Sequence, residues 1–102
     1  MKQSQRLVPI TRMSIHTPLE VSSEFFIEIE GYLPDPAWEM FREQVSIDET
    51  KQVVSIKIYG KRDPSLMAAQ VVRNFRKSIS LILKTKGKWI IQCNDKNLEI
   101  EI

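Results

Sequence analysis

Apolar residues recur at every second position along most of this chain, and that spacing constrains its fold more than any other feature. Phe25, Ile27 and Ile29 alternate with Phe26, Glu28 and Glu30, and Val54, Ile56 and Ile58 alternate with Ser55, Lys57 and Tyr59. The same period runs through Ile79, Leu81 and Leu83, through Trp89, Ile91 and Cys93, and through Leu98, Ile100 and Ile102. Successive side chains of an extended strand point to opposite faces, so this period predicts strands with one buried and one wet face.

Residues that preset φ or tolerate a left-handed backbone fall between these runs: Leu33-Pro34-Asp35-Pro36, Asp48-Glu49-Thr50, Gly60-Lys61-Arg62-Asp63-Pro64, Lys86-Gly87 and Asn94-Asp95-Lys96-Asn97. Their regular spacing predicts an all-β fold, an antiparallel two-sheet sandwich of about seven strands. A hairpin is expected over Ile90 to Leu98, closed through Asn94 to Asn97. Leu7 to Ile15 reads as a weaker strand that Pro9 puts at an edge or at the start of a sheet. Trp38 to Ile47 reads as a further strand of inconsistent parity, because Trp38 and Met40 fall on the face opposite Phe41 and Val45. The segment from Pro64 to Phe75 leaves two readings open. Asp63 as cap, Pro64 in the first turn, and Met67, Val71 and Phe75 every four residues favour a helix. The stiff pair Val71 and Val72 disfavours it, so the expectation is one short helical turn near residues 64–74.

A chain of 102 residues, 42% hydrophobic and 27% charged, has the means for one core and not two. The expected division is an N-terminal extension or edge strand over 1–18 and a single sandwich domain over 19–102. No apolar run approaches the roughly 20 residues that cross a bilayer. Leu7 to Ile10, interrupted by Pro9, is too short for a signal-peptide core. The expectation is therefore no membrane and a cytoplasmic location, or secretion if a leader was removed before this sequence begins. The lone Cys93 has no partner for an internal bridge and reads as a small buried hydrophobe.

Chemistry-bearing patterns are sparse. A single His16, next to Thr17-Pro18, supplies no nucleophile–base pair and reads as exposed and unengaged. One Cys, one His and four dispersed Met offer no metal-ligand spacing, and neither Gly60 nor Gly87 opens a phosphate loop, so no cofactor is expected. Asp35 and Glu39 near one turn are the carboxylates closest to a catalytic pair, and they would need a concave pocket holding both. Trp89, two residues after Gly87, reads as a core anchor whose indole N–H seeks a carbonyl.

Charge is segregated. Residues 19–50 hold nine acids against one base, Arg42, and residues 51–88 hold ten bases against one acid, Asp63. Arg73, Arg76, Lys77, Lys84, Lys86 and Lys88 accumulate in a stretch without acids, which could be a footprint for nucleic acid or an acidic partner. The competing reading is neutralisation across strands, with Glu28 and Glu30 facing Lys57 or another base. Aromatic interleaving of the kind that stacks bases is missing from this basic run, apart from Phe75 and Trp89.

The run Gly31-Tyr32-Leu33-Pro34-Asp35-Pro36-Ala37-Trp38-Glu39, followed by Tyr59-Gly60-Lys61-Arg62-Asp63-Pro64, Ala68-Ala69-Gln70-Val71-Val72, Phe75, Ile79-Ser80-Leu81 and Gly87-Lys88-Trp89, resembles a group of short prokaryotic immunoglobulin-like sandwich domains, often secreted or lipid-anchored. The resemblance covers roughly residues 21 to 98 and carries no catalytic signature. Members of that group carry cysteines where this chain has Ala37 and Ala68. The resemblance thus implies that these alanines are neighbours, with Cβ atoms about 4 Å apart as a disulfide requires.

The leading expectation is a non-enzymatic binding or scaffolding module acting through protein contacts. Turns 33–37 and 60–66 would come together and present Asp35, Arg62 and Asp63. The alternative is electrostatic nucleic-acid binding through the basic segment 73–88, carried by Arg73, Arg76 and Lys77. Self-association is the third possibility, with residues 7–15 or the final strand 98–102 as docking edge.

Overall fold

Eight strands form in a computed structural model that describes residues 4–35, 37–63, 65 and 71–102. They are β1 (Ser4–Leu7), β2 (Ile10–Ile15), β3 (Phe25–Leu33), β4 (Trp38–Asp48), β5 (Val53–Arg62), β6 (Arg73–Leu81), β7 (Lys88–Cys93) and β8 (Lys96–Glu101). The wider sheet has β4 at one edge, then β5, then β1 and β7 end to end along the far side of β5, with β8 outside β7. The narrower sheet runs β2-β3-β6. The expected all-β two-sheet sandwich is what forms, with no helix among the described residues.

Alternation builds the core. Phe25, Ile27 and Ile29 of β3, Val54, Ile56 and Ile58 of β5, and Trp89, Ile91 and Cys93 of β7 lose essentially all contact with solvent between the sheets. Ile79 and Leu81 of β6 join them, while the intervening residues of these strands face outward. Trp89 is the expected anchor: it is fully buried, and its indole N–H donates to the carbonyl of Thr85 at 2.9 Å.

Every ladder is antiparallel except that of β5 with β7. After β5 the chain enters the other sheet as β6 and returns, and a crossover of that kind is what a parallel neighbour needs. Four local expectations are corrected. Gly60, Lys61 and Arg62 lie inside β5, not in a turn, because Gly60 faces inward and leaves room for neighbours. A Cβ there would come within 2.8 Å of Val8 and 3.3 Å of Trp38. The chain from Leu7 to Ile15 is two strands, broken at Val8 and Pro9 where it changes sheets: β1 pairs with β5 and β2 with β3. The parity conflict in β4 comes from a register shift between Met40 and Arg42, a bulge that inserts Phe41. Of the segment read as a helical turn, Arg73, Asn74 and Phe75 are strand, in register with Leu33, Tyr32 and Gly31. Residues 64 and 66–70 lie outside the described residues, and with them the expected proximity of Ala37 and Ala68.

One side chain closes the wider sheet. Along one edge of β5, β1 pairs with Tyr59 to Arg62 and β7 with Val53 to Ile56; between them the Val8 N–H donates to the Ile58 carbonyl at 3.0 Å, but the Ile58 N–H has no strand partner, which leaves a gap. Asn94, in the tight turn between β7 and β8 with φ of +53°, fills it. The Ile58 N–H donates to Asn94 Oδ1 at 3.0 Å, and Asn94 Nδ2 donates to the carbonyls of Val8 at 2.6 Å and Ile58 at 3.2 Å. The backbone N–H of Asn94 donates to the Ile56 carbonyl at 3.1 Å. The amide thus stands in for a peptide unit where two strand ends meet.

Replacing Asn94 by Gly keeps the left-handed backbone unstrained and removes only the amide. The expected loss is about 2 kcal/mol, from half-buried groups left without partners, read as a fall in Tm on the order of 10 °C. A melting curve within a degree of the parent would contradict this account of Asn94. Cys93 gives a second test. Burial, with a smaller contribution from the charge of Asp95, pushes its thiol up to about 12 from the ordinary 9.0. The folded protein at pH 8 is expected to resist a thiol reagent for hours and to react fully in denaturant. Because the folded thiol holds its proton more tightly, stability should fall as pH rises from about 9 toward 12.

Candidate functional site

The turns after β3 and β5 meet at one end of the sandwich, because Trp38 and Arg62 are opposite in the β4–β5 ladder. Asp35 is largely buried there. One carboxylate oxygen accepts the Ala37 N–H at 2.8 Å and the other takes Arg62 Nε at 3.2 Å. Asp63 donates its N–H to the Ala37 carbonyl at 3.3 Å and accepts both the N–H and the hydroxyl of Ser65, at 2.9 and 2.6 Å. The Ser65 hydroxyl bond first, then its backbone bond, lower the pKa of Asp63. So Asp35, Arg62 and Asp63 do come together, and their polar atoms hold the two turns to each other. Glu39 pairs separately, with Lys61 at 3.5 Å, so Asp35 and Glu39 do not form a carboxylate pair.

The basic residues of β6 divide between its faces. Arg76 points outward and bridges Glu28 at 2.7 Å and Glu30 at 2.9 Å. The Glu30 hydrogen bond, then the charges of Glu28 and Glu30, raise its pKa. Neutralisation across the ladder is therefore real for these acids, but the base is Arg76 of the neighbouring strand; Lys57 lies in the other sheet. Lys77 has the opposite parity and reaches Glu43 of β4 at 3.2 Å. Arg73 is exposed at the start of β6, opposite Leu33. His16 is exposed as expected yet engaged, with Nε2 3.0 Å from the Ser14 hydroxyl.

The feature that stands out is β4. Its eleven residues pair with β5 alone among the described strands, and from Glu39 to Ile47 every residue is exposed. The β5 register assigns its faces. Met40, Glu43, Val45 and Ile47 lie opposite the inward Gly60, Ile58, Ile56 and Val54, whereas Arg42, Gln44, Ser46 and Asp48 face outward. Val45 and Ile47 remain 42% and 40% exposed although they point the way the core does. The outer face of the same hairpin carries a second cluster. Lys61 Nζ lies 5.0 Å from the Phe41 ring centre, and the Arg42 guanidinium 4.5 Å from that of Tyr59.

Sequence reading missed both features because the Phe41 bulge hid the parity of β4. A shift from even to odd apolar positions inside one strand run is the signal that could have found it. Two surface depressions carry one carboxylate each, Glu30 between Thr11 and Arg76 and Glu43 beside Lys77. No described helix is long and apolar enough to cross a membrane.

No curated protein and no solved structure matches the chain. A family model, that of the ORF11 beta-sandwich domain, matches residues 27–102, from within β3 through β8. With most of its length so matched, and with two β-sheets packed about one core, the chain belongs to the ORF11 beta-sandwich domain family.

Proposed function

We propose that this domain is a non-enzymatic binding or scaffolding module that works through protein–protein contacts along the free edge of β4. The observation that carries the reading is nine consecutive exposed residues, Glu39 to Ile47, on a strand that pairs with β5 alone among the described strands. A strand added there gains backbone hydrogen bonds at once, and the apolar side chains on both faces gain cover. The likeness of the Gly31 to Pro36 run to short prokaryotic immunoglobulin-like domains supports the same reading, a small sandwich acting through its surface. A reducing, cytoplasmic setting is part of the proposal, supported by a single cysteine that forms no bridge.

A second reading, binding of single-stranded nucleic acid, draws support from the outer face of the β4–β5 hairpin. There Phe41 and Tyr59 are interleaved with Arg42 and Lys61, the combination that stacking and electrostatic binding require. Segment 73–88 supports it less, since Arg76 and Lys77 are held by acids of this chain.

Val45→Lys places a charge in the middle of the edge at an exposed position, where stability should change by less than about 0.5 kcal/mol. Proteins retained by the parent domain in a pull-down are expected to be lost with Val45→Lys and kept with Lys96→Ala on the far hairpin. Equal retention by all three would remove β4 as the docking edge. For the second reading, a single-stranded oligonucleotide at low salt should bind with an affinity that drops steeply as salt rises and that Phe41→Ala weakens. No binding at low ionic strength would end it.

A further inference from the structure

The free edge of β4 is not uniform. Its first half carries devices that discourage strand addition: the bulge at Phe41 and the charges of Glu39, Arg42 and Glu43. Its second half, Gln44-Val45-Ser46-Ile47, has regular register and no charge, with Arg42 before it and Asp48 after it. Glu43 points inward, so the outward face of this half is positive at Arg42 and negative at Asp48, a pattern complementary to its own reverse. From this we infer that the strand accepted by β4 is β4 of a second copy of this chain, paired antiparallel about a two-fold axis at Val45. The inference rests on the proposed role of this edge.

The register follows from faces and charges. A two-fold axis perpendicular to the sheet keeps outward residues opposite outward ones, so it must pass through a residue and not between two. With the axis at Val45, Arg42 faces the partner's Asp48, Glu43 the partner's Ile47 and Gln44 the partner's Ser46. Arg42 and Asp48 both point outward, so two ion pairs flank the joint on its wet side. An axis at Arg42 or Glu43 sets a charge against itself, and one at Gln44 or Ser46 pairs neither Arg42 nor Asp48 with an opposite charge. Only Asp48 Oδ1 caps the turn, taking the N–H groups of Thr50 and Lys51 at 3.0 and 2.9 Å. On the inner side Val45 meets its own copy, and Glu43 keeps Lys77 as its counter-charge. The neighbouring basic residues Arg76 and Lys77 of β6 are neutralised within each copy, so the two β6 edges can approach. The product is one continuous sheet through two domains, with both exposed Val45 side chains covered.

The test is molar mass by light scattering and sedimentation from micromolar to millimolar protein. The expected result is a monomer–dimer equilibrium that Val45→Lys abolishes. Arg42→Asp, which faces the partner's Asp48 with a like charge, should weaken it by about tenfold or more, and Arg42→Asp combined with Asp48→Arg should restore it. Should the double variant fail to fold, Val45→Cys decides: opposite Cβ atoms at this position are about 5 Å apart, so mild oxidation should give a disulfide-linked dimer while the buried Cys93 stays out. A chain that is monomeric at every concentration, or a dimer indifferent to Val45→Lys with no Val45→Cys cross-link, overturns the inference. A monomer that still holds other proteins in a Val45-sensitive way overturns it too, yet leaves the broader role of β4 standing.

Discussion

Strand β5 must be hydrogen-bonded along both edges, and the rest of the molecule is arranged around how that is done. Val54, Ile56 and Ile58 are wholly buried, so unpaired backbone groups beside them would cost as much as lost hydrogen bonds. No single strand runs the length of one edge: β7 covers the first part and β1 the last. The Val8 N–H donates to the Ile58 carbonyl, and Asn94 supplies the missing acceptor for the Ile58 N–H and a donor to the Val8 carbonyl in the same network. The N-terminal strand and the last hairpin are thereby fixed to one point. Val8 and Ile10 can then enter the core on either side of the sheet change at Pro9.

This arrangement gives the two sheets unequal width. The wider one has four ranks, β4, β5, the β1 and β7 pair, and β8, over three strands in the other. On one side β2 and β8 lie against each other, so the surplus rank falls on the opposite side, at β4. That is why Val45 and Ile47 have the inward parity and remain exposed: the sheet they point toward ends at β6. The side chains that span the overhang do so by charge, Lys77 to Glu43, and an exposed pair of that kind contributes about 1 kcal/mol at most. Among the described residues, nothing in the narrower sheet reaches far enough to cover Val45 and Ile47.

The sequence shows the core more clearly than the edges, for a physical reason. Alternation reports burial between two sheets, so β3, β5, β7 and β8 could be read from Phe25, Ile56, Trp89 and Leu98, and Trp89 even as an anchor bonded to a carbonyl. Turn residues mislead where a glycine is needed for packing and not for bending, as at Gly60 under Trp38. An edge strand has no partner sheet to impose the period, and a bulge resets it, so β4 read as a parity conflict at Phe41. The meeting of Asp35, Arg62 and Asp63 was legible from two turns of matching chemistry. That Asp35 and Arg62 are spent on each other, and the Asp63 carboxylate on Ser65, depends on ladder register and local turn geometry, which a single sequence does not print. The pairing of Glu28 and Glu30 with Arg76, and not Lys57, turns on the same kind of information.

Edge control explains why β4 differs from the other outer strands. β8 carries Glu99 and Glu101 on its wet face, β6 carries Arg76, and β2 is short, interrupted near its start by a register shift. Each is a known means of keeping foreign strands away. β4 has such devices only as far as Glu43, after which Gln44 to Ile47 are uncharged and regular over β5. A sandwich that needed only solubility could place one lysine among these four residues at almost no cost in stability, because all four are exposed. On the outward face this uncharged half-edge lies between Arg42 and Asp48, charges of opposite sign, and that arrangement is what the proposed pairing with a second copy draws on.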